Sequence, residues 1–271
     1  MDSNNHINKI DLQKVHAKLQ SSVIGHKIIY LDTVPSTMDV AHSHAVDLTN
    51  DGLVILAEEQ TSGRGRFNRN WVSPKYQNLY ISILVRSESV ALKYMSIAAS
   101  LAVANAIEAL THLKVEMNWP NDLKVNGKKL AGILVEQVHS LENLSYGVIG
   151  VGLNVNKVTS EYQDIAQTAT SIQTELGKAF SRELLLIKIL EQLEVEQQLI
   201  QANISPVLQW KQKLVTLGQR VTFRDLQVEH TGEAVDVDNN GNLVMQLDDY
   251  SYITLASGEL TSQDLAQPRQ N

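Results

Sequence analysis

Apolar positions along the chain change period several times, and each change marks an element. Residues 11–20, DLQKVHAKLQ, have the apolar spacing of a short helix, and HKIIYL at 26–31 follows as a strand that Pro35 stops in the loop VPST. The main core is expected to begin near residue 26. LVILAEE at 53–59 is a short apolar run suited to a buried strand. A long polar loop of Thr, Ser, Gly, Arg and Asn covers 61–70 and is expected to be mobile. LYISILV at 79–85 predicts another strand, and residues 91–110 are apolar on nearly every side, as in a helix packed within a core. Ser96, Ser100, Asn105 and Glu108 within that helix argue against a membrane span.

KVEMN alternates as a half-buried strand does and runs into NWPNDL, where Pro120 forces a turn. LKVNGKKLAGILVE has the form of a hairpin, because Asn126-Gly127 readily adopts the positive φ angles of a type I′ turn. SYGVIGVGLNVN predicts one more strand, interrupted by Gly150 and Gly152, and residues 181–213 return to helical spacing behind Ser181 as cap. From about 216 the pattern becomes short strands, RVTFRD, GEAVDVD, NLVMQLD and YSYITLA, separated by DNNGN and SG turns. The expected organisation is a short extension over 1–25, a main domain over 26–215 and a small β-barrel over 216–271, packed together without a flexible linker.

A chain of 271 residues with 43% hydrophobic content can bury a large core and a small one without cross-links. The absence of cysteine removes disulfides, thiolate zinc sites and thioester chemistry. MDSNNHINKI is too polar for a signal peptide or an anchor, so a cytoplasmic protein without membrane attachment is expected. A net charge of −7 does not suit a polyanion-coating protein, and no nucleic-acid partner is expected. The basic segments 64–69 and 124–129 read most simply as solvated surface on charge alone.

Four segments could carry chemistry. GRGRFNRNW sets Arg64, Arg66 and Arg69 beside two glycines in a loop ending on Trp71, which suits a polyphosphate or carboxylate and a stacked flat ring, and equally a solvated arginine loop. It is neither a Walker loop nor the Rossmann glycine pattern. NWPNDL offers Asp122 for magnesium and Asn121 for a base edge, or simply a turn. Alternation sends Lys128 and Lys129 to opposite faces of a strand that continues apolar on both, so one lysine meets either packed space or solvent, and periodicity does not choose. The glycines of GVGLNVN mark either a close ligand approach or a bulge. The eight histidines form no HExxH helix, and no GxSxG elbow occurs.

In this order, GRGRFNRNW, NWPNDL, KLAGILVE and GVGLNVN resemble the biotin protein ligase family, with VPST and the β-rich tail falling where that family has them. The resemblance covers roughly residues 26–260 and implies an α+β fold: a mixed-sheet catalytic domain of the biotin/lipoate ligase type with a small C-terminal β-barrel, often a homodimer. It implies ATP-dependent formation of biotinyl-5′-AMP, with Mg2+, and transfer of biotin to a lysine of a biotin carboxyl carrier protein domain. By motif position, Ser36, Thr37, Gln60 and Arg64 hold biotin, with the backbones of Gly132 and Gly150 lining its slot. Lys129, directly before LAGI, and Arg66 are the catalytic cations. Arg69, Trp71, Asn121 and Asn154 contact the nucleotide, and Asp122 serves magnesium.

That chemistry fits the inventory. A carboxylate is a poor acylating agent, so AMP is attached to it, and the enzyme must bring two anions together and disperse charge at the α-phosphate. The sequence departs from the family pattern at Asn118, where lysine commonly precedes WPND, at Met38, where asparagine commonly follows Ser-Thr, and at FNR, where RGR is common. These departures suggest a third class, a binder of biotinyl nucleotide without turnover. Lipoate or octanoate transfer is the related enzymatic alternative. A DNA-binding regulator is disfavoured, since about 25 residues precede the core, too few for a helix-turn-helix domain.

Overall fold

The computed structural model describes residues 9–86, 89–138, 145–157, 167–225 and 228–262. Seven strands, β1 Ile28–Val34, β2 Val54–Gln60, β3 Leu79–Arg86, β4 Glu116–Asn118, β5 Asp122–Val125, β6 Lys128–Val138 and β7 Tyr146–Leu153, form a sheet in the order β1-β2-β3-β7-β6-β5-β4. β1 and β2 run parallel and the other neighbours antiparallel, so the sheet is mixed.

Strand alternation gives this sheet two apolar faces. On one, Val54, Leu56, Ile81, Ile83, Ile133, Ile149 and Val151 share a cluster with Leu101 and Ile107 of helix α3 (Ser89–Thr111) and Leu186 and Leu190 of helix α5 (Arg182–Gln201). On the other, Ile55, Leu53, Leu84 and Val148 pack against Met38 and Ala41 of helix α2 (Thr37–Ser43). The stretch Leu92–Thr111 is long and apolar enough to cross a membrane, but 67% of it lies buried inside the fold. α2 is an element that apolar spacing does not announce. Its start is set by Ser36, whose hydroxyl accepts from the Met38 N–H.

Helical spacing over 181–213 corresponds to two helices, α5 and α6 (Val207–Lys213), separated where Asn203 takes a positive φ and Pro206 follows. Helices α1 (Leu12–Lys18) and α4 (Ile172–Leu176) complete the set, the first capped by Asp11 and the second by Ser171. The core extends upstream of residue 26, because Ile10, Val15 and Ile24 are buried in the same cluster.

The tail forms an antiparallel sheet of β8 Arg220–Asp225, β9 Val228–Val237, β10 Leu243–Leu247, β11 Tyr252–Leu255 and β12 Glu259–Ser262, ordered β11-β10-β9-β8-β12. It docks directly on the large domain. Trp119 Nε1 donates to Gly241 O at 3.1 Å, Tyr94 Oη donates to Asn239 O at 3.1 Å, and Lys211 pairs with Asp236.

Glu194, on α5, ties the approach to β1 to this helix. Its carboxylate accepts from the N–H groups of Ser22, Val23 and Ile24 at 2.9, 3.0 and 3.1 Å and from the hydroxyls of Ser21 and Ser22. Burial opposes ionisation, but these hydrogen bonds prevail and hold the carboxyl down at about 2. A folded pKa below the unfolded value contributes stability above the ordinary carboxylate pKa of about 4.3, lost as pH falls through about 2. Glu194→Gln should therefore destabilise the protein by about 1–3 kcal/mol at neutral pH. It should also flatten the stability loss between those two pH values, as read by urea denaturation across pH.

Candidate active site

The chemistry-bearing segments converge on the α2 side of the large sheet. Gly132 of β6 lies opposite Gly152 of β7, and Gly150 lies opposite Leu134. β7 runs through its two glycines with no register shift against either neighbour, so they neither interrupt the strand nor mark a bulge. Their missing side chains are space that other groups use. A Cβ at Gly152 would sit 2.5 Å from the Trp71 ring, one at Gly132 would sit 3.2 Å from it, and one at Gly150 would sit 2.7 Å from Met38 Sδ.

The arginine loop is closed into a hairpin in this structure. Gly65 N donates to Arg69 O at 2.7 Å, Trp71 N to Gly63 O at 2.9 Å, and Arg64 bridges Asn70. Phe67 accepts a left-handed backbone at the tip, φ 54°. The loop lays the indole of Trp71 across the paired glycines, and its Nε1 is buried without a hydrogen-bond partner. Arg66 reaches the small domain, donating to Gly258 O at 3.4 Å, and burial lowers its pKa.

Lys129 is the lysine that turns inward, while Lys128 is exposed. Strict alternation would put residue 129 on the face opposite Gly132. A register shift in the β5–β6 pairing, with Leu123 opposite Ala131 but Lys124 opposite Lys129, re-aims it. Its Nζ pairs with Asp122 Oδ1 at 2.7 Å, stands 5.5 Å from the Trp71 ring and lies 3.7 Å from where a Gly132 Cβ would be. The backbone of Lys129 is held on its other side by Thr168 O and Thr170 N, both at 2.8 Å.

At the α2 end, a hydrogen-bond chain orders the polar side chains. Ser82 Oγ donates to Thr37 Oγ1 at 2.8 Å, Thr37 N and Oγ1 donate to Gln60 Oε1 at 2.9 and 3.1 Å, and Gln60 Nε2 donates to Ser73 Oγ at 3.2 Å. Arg64 is clamped by carboxylates, with Nη1 2.7 Å from Asp39 and Nε and Nη2 each 3.3 Å from Glu136. Burial works against its charge, but Glu136 and Asp39 outweigh that and raise its pKa. Glu136 also meets His42 Nε2 at 2.7 Å. The KLAGILVE motif contained this carboxylate, but pattern alone assigned it no part.

All thirteen residues singled out in the sequence line one cleft of about 790 Å³. Two of them present less than their type suggests. The Asn121 side chain donates to Ile133 O, and Asn154 is 4% exposed with Nδ2 bonded to Thr170 O at 3.1 Å. Asn118 also lines the cleft and adds no cation there. Sequence reasoning passed over Lys157, which is 1% exposed, lines the cleft and has its pKa lowered by burial. It also passed over Gly258 and Leu260, which bring the small domain to the cleft wall. Among the described residues no group of three or more His, Cys, Asp or Glu could hold a metal ion.

Residues 30–154 match the biotin/lipoate A/B protein ligase family, and residues 216–259 match the biotin protein ligase C terminal domain. The bifunctional ligase/repressor BirA of Bacillus spizizenii is 29% identical over 243 residues, 88% of this chain and 75% of that protein. A biotin–[acetyl-CoA-carboxylase] ligase of Mycobacterium tuberculosis is 33% identical over 208 residues, 73% of this chain and 74% of that protein. Among solved structures, the biotin protein ligase of Aquifex aeolicus in complex with biotin and ATP superposes with a TM-score of 0.74 at 25% identity, covering 88% of this chain and 99% of that one.

The packing of Trp71 on bare strand gives a direct test of the cleft geometry. Gly152→Ala should lift the indole off the sheet, because a methyl cannot share the 2.5 Å gap. The expected result is a shifted tryptophan emission and a cost of about 1–3 kcal/mol from overpacking, read by fluorescence and denaturant unfolding. Trp119 and Trp210 are each 2% exposed and should contribute an unchanging background.

Proposed function

The chain belongs to the biotin protein ligase family, and from that premise we propose that it joins biotin to ATP as biotinyl-5′-AMP and passes the biotinyl group to a lysine of a biotin carboxyl carrier protein domain. The observation that carries this reading is Lys129, held by Asp122 at 2.7 Å beside the glycine-cleared strands and under the arginine loop. In the first half-reaction a carboxylate oxygen of biotin attacks the α-phosphorus, the bond from that phosphorus to the bridging oxygen of the β-phosphate breaks, and pyrophosphate leaves. Both reactants are anions, so a cation at their junction lowers the barrier. Lys129 and Arg66 take that part.

We place the biotin ring at the α2 end. Ser36, Thr37, Gln60 and the clamped Arg64 offer donors and acceptors for a cyclic urea, and in this reading the biotin chain takes the place against Gly132 and Gly150 that Trp71 and Met38 hold in this structure. Arg69, Trp71, Asn121 and Asn154 lie where the nucleotide belongs in this reading. In the second half-reaction the acceptor amine attacks the acyl carbon and AMP leaves with the electron pair. The arginine hairpin over the cleft shields the anhydride from water until then.

Asp122 is a single carboxylate already facing a lysine. That donor set fits a magnesium ion shared with nucleotide phosphates and not an all-protein cage. Bound there, the ion would neutralise phosphate charge. In this reading residues 26–215 form the catalytic domain and residues 216–271 the small C-terminal domain, and the protein works in the cytoplasm as a homodimer.

Pyrophosphate exchange into ATP, run with magnesium and with biotin, lipoate or neither, tests the reading. Exchange that requires biotin and is absent with lipoate is expected. Exchange driven by lipoate instead would move the chain to the sister enzymes of the same family, and biotin binding without exchange would make it a binder.

A further inference from the structure

One carboxylate at the α2 end of the cleft serves two neighbours, and the chemistry above uses only one of them. Glu136 lies on the outer half of β6, beyond Gly132, the last residue that β5 pairs. Its Oε1 accepts from Arg64 Nε and its Oε2 from Arg64 Nη2, each at 3.3 Å. The same Oε2 lies 2.7 Å from Nε2 of His42, in the last turn of α2. On the far side of the imidazole, Nδ1 lies 3.1 Å from the hydroxyl of Tyr146, the first residue of β7, and the two rings meet edge-on with centroids 5.7 Å apart.

The partners decide where the protons sit. Burial raises the Glu136 carboxyl, but hydrogen bonds from Arg64 and His42 outweigh it and hold the group below its ordinary value, so it is an anion and only accepts. Nε2 of His42 therefore carries a proton in either charge state of the ring, and in the neutral ring Nδ1 accepts from the Tyr146 hydroxyl. Arg64 depends on this arrangement for its orientation. Asp39 is 59% exposed and reaches one guanidinium nitrogen, Nη1, at 2.7 Å, which pins a corner of the plane and leaves rotation about it. Glu136 supplies the two contacts that fix the plane. Both are long for hydrogen bonds, whereas His42 makes the shortest bond to this carboxylate. The rotamer of Glu136, a flexible side chain 34% exposed, is thus set by the imidazole, and the imidazole by Tyr146.

We propose that His42 is a positioning residue for biotin recognition: acting through Glu136, it orients the Arg64 guanidinium at the ring end of the slot. The proposal rests on the reading that the biotin ring lies beside Arg64. An imidazole that only packed α2 against β7 would act on the whole helix, Ser36 and Thr37 included, and would need no carboxylate between. One that positions Arg64 acts only while Glu136 is there to carry the effect.

Calorimetric titration of biotin into the full chain separates these two cases through a double-mutant cycle. His42→Leu keeps apolar bulk against Tyr146 and removes the donor to Glu136, and should weaken biotin binding about tenfold, the loss of one hydrogen bond to a charged group. His42→Gln restores an N–H toward Glu136 and should bind biotin within about twofold of wild type. In a Glu136→Ala background, His42→Leu should weaken binding no further. If His42→Leu fails to fold, Tyr146→Phe, which frees the imidazole to turn, replaces it in the cycle with an expected loss of about threefold that also vanishes in the Glu136→Ala background. Wild-type affinity in the folded variant, or a loss that persists undiminished without Glu136, overturns the proposal. A wild-type protein that binds no biotin overturns the biotin reading and the proposal together, whereas one that binds biotin equally well with and without the His42 donor overturns the positioning alone.

Discussion

Three glycines on one face of two adjacent strands remove the side chains that would otherwise cover the middle of the sheet, and the functional groups are arranged around that bare surface. The indole of Trp71 rests on Gly132 and Gly152, and Met38 rests on Gly150. Everything else must bring side chains to the rim. The β5–β6 register shift aims Lys129, the closed arginine hairpin delivers Trp71, and the Ser36 cap starts α2 where it faces Gln60. Backbone approach of this kind requires residues without Cβ, so the cleft depends on composition at single positions more than on charge.

Charge enters next. The chain carries −7 overall, yet its cleft gathers Arg64, Arg66, Arg69, Lys129 and Lys157. Asp39 and Glu136 compensate Arg64 and Asp122 compensates Lys129, which lets these cations be held in place without an anionic ligand. Arg66 has burial working against its charge instead. In the proposed reaction, cations so prepared would not need to reorganise as two anionic substrates meet. Asn118 lines the same cleft and adds no cation to it.

Much of this was legible in the order of motifs. Strand and helix periods located the sheet and the long helices, because both faces of the sheet are covered and the runs are correspondingly apolar. α2 escaped, since VPST reads as a loop and the helix behind it is short, with only Thr37, Met38 and Ala41 buried. The split between α5 and α6 was masked by helical spacing that continues across the break at Asn203 and Pro206. β12, Glu259–Ser262, was missed for want of an apolar run. At the site, alternation left Lys128 and Lys129 undecided because a register shift is a property of two strands, invisible in one.

In the proposed reaction Lys129, aimed by the register shift and steadied by Asp122, is the cation at which the biotin carboxylate and the α-phosphate meet. The most direct measurement is the single-turnover rate of biotinyl-adenylate formation by Lys129→Ala against wild type, at saturating biotin and ATP and with the fold checked by circular dichroism. A fall of about a hundredfold or more is expected. Formation at the wild-type rate would contradict the claim and leave the inward turn of this lysine without a catalytic reason.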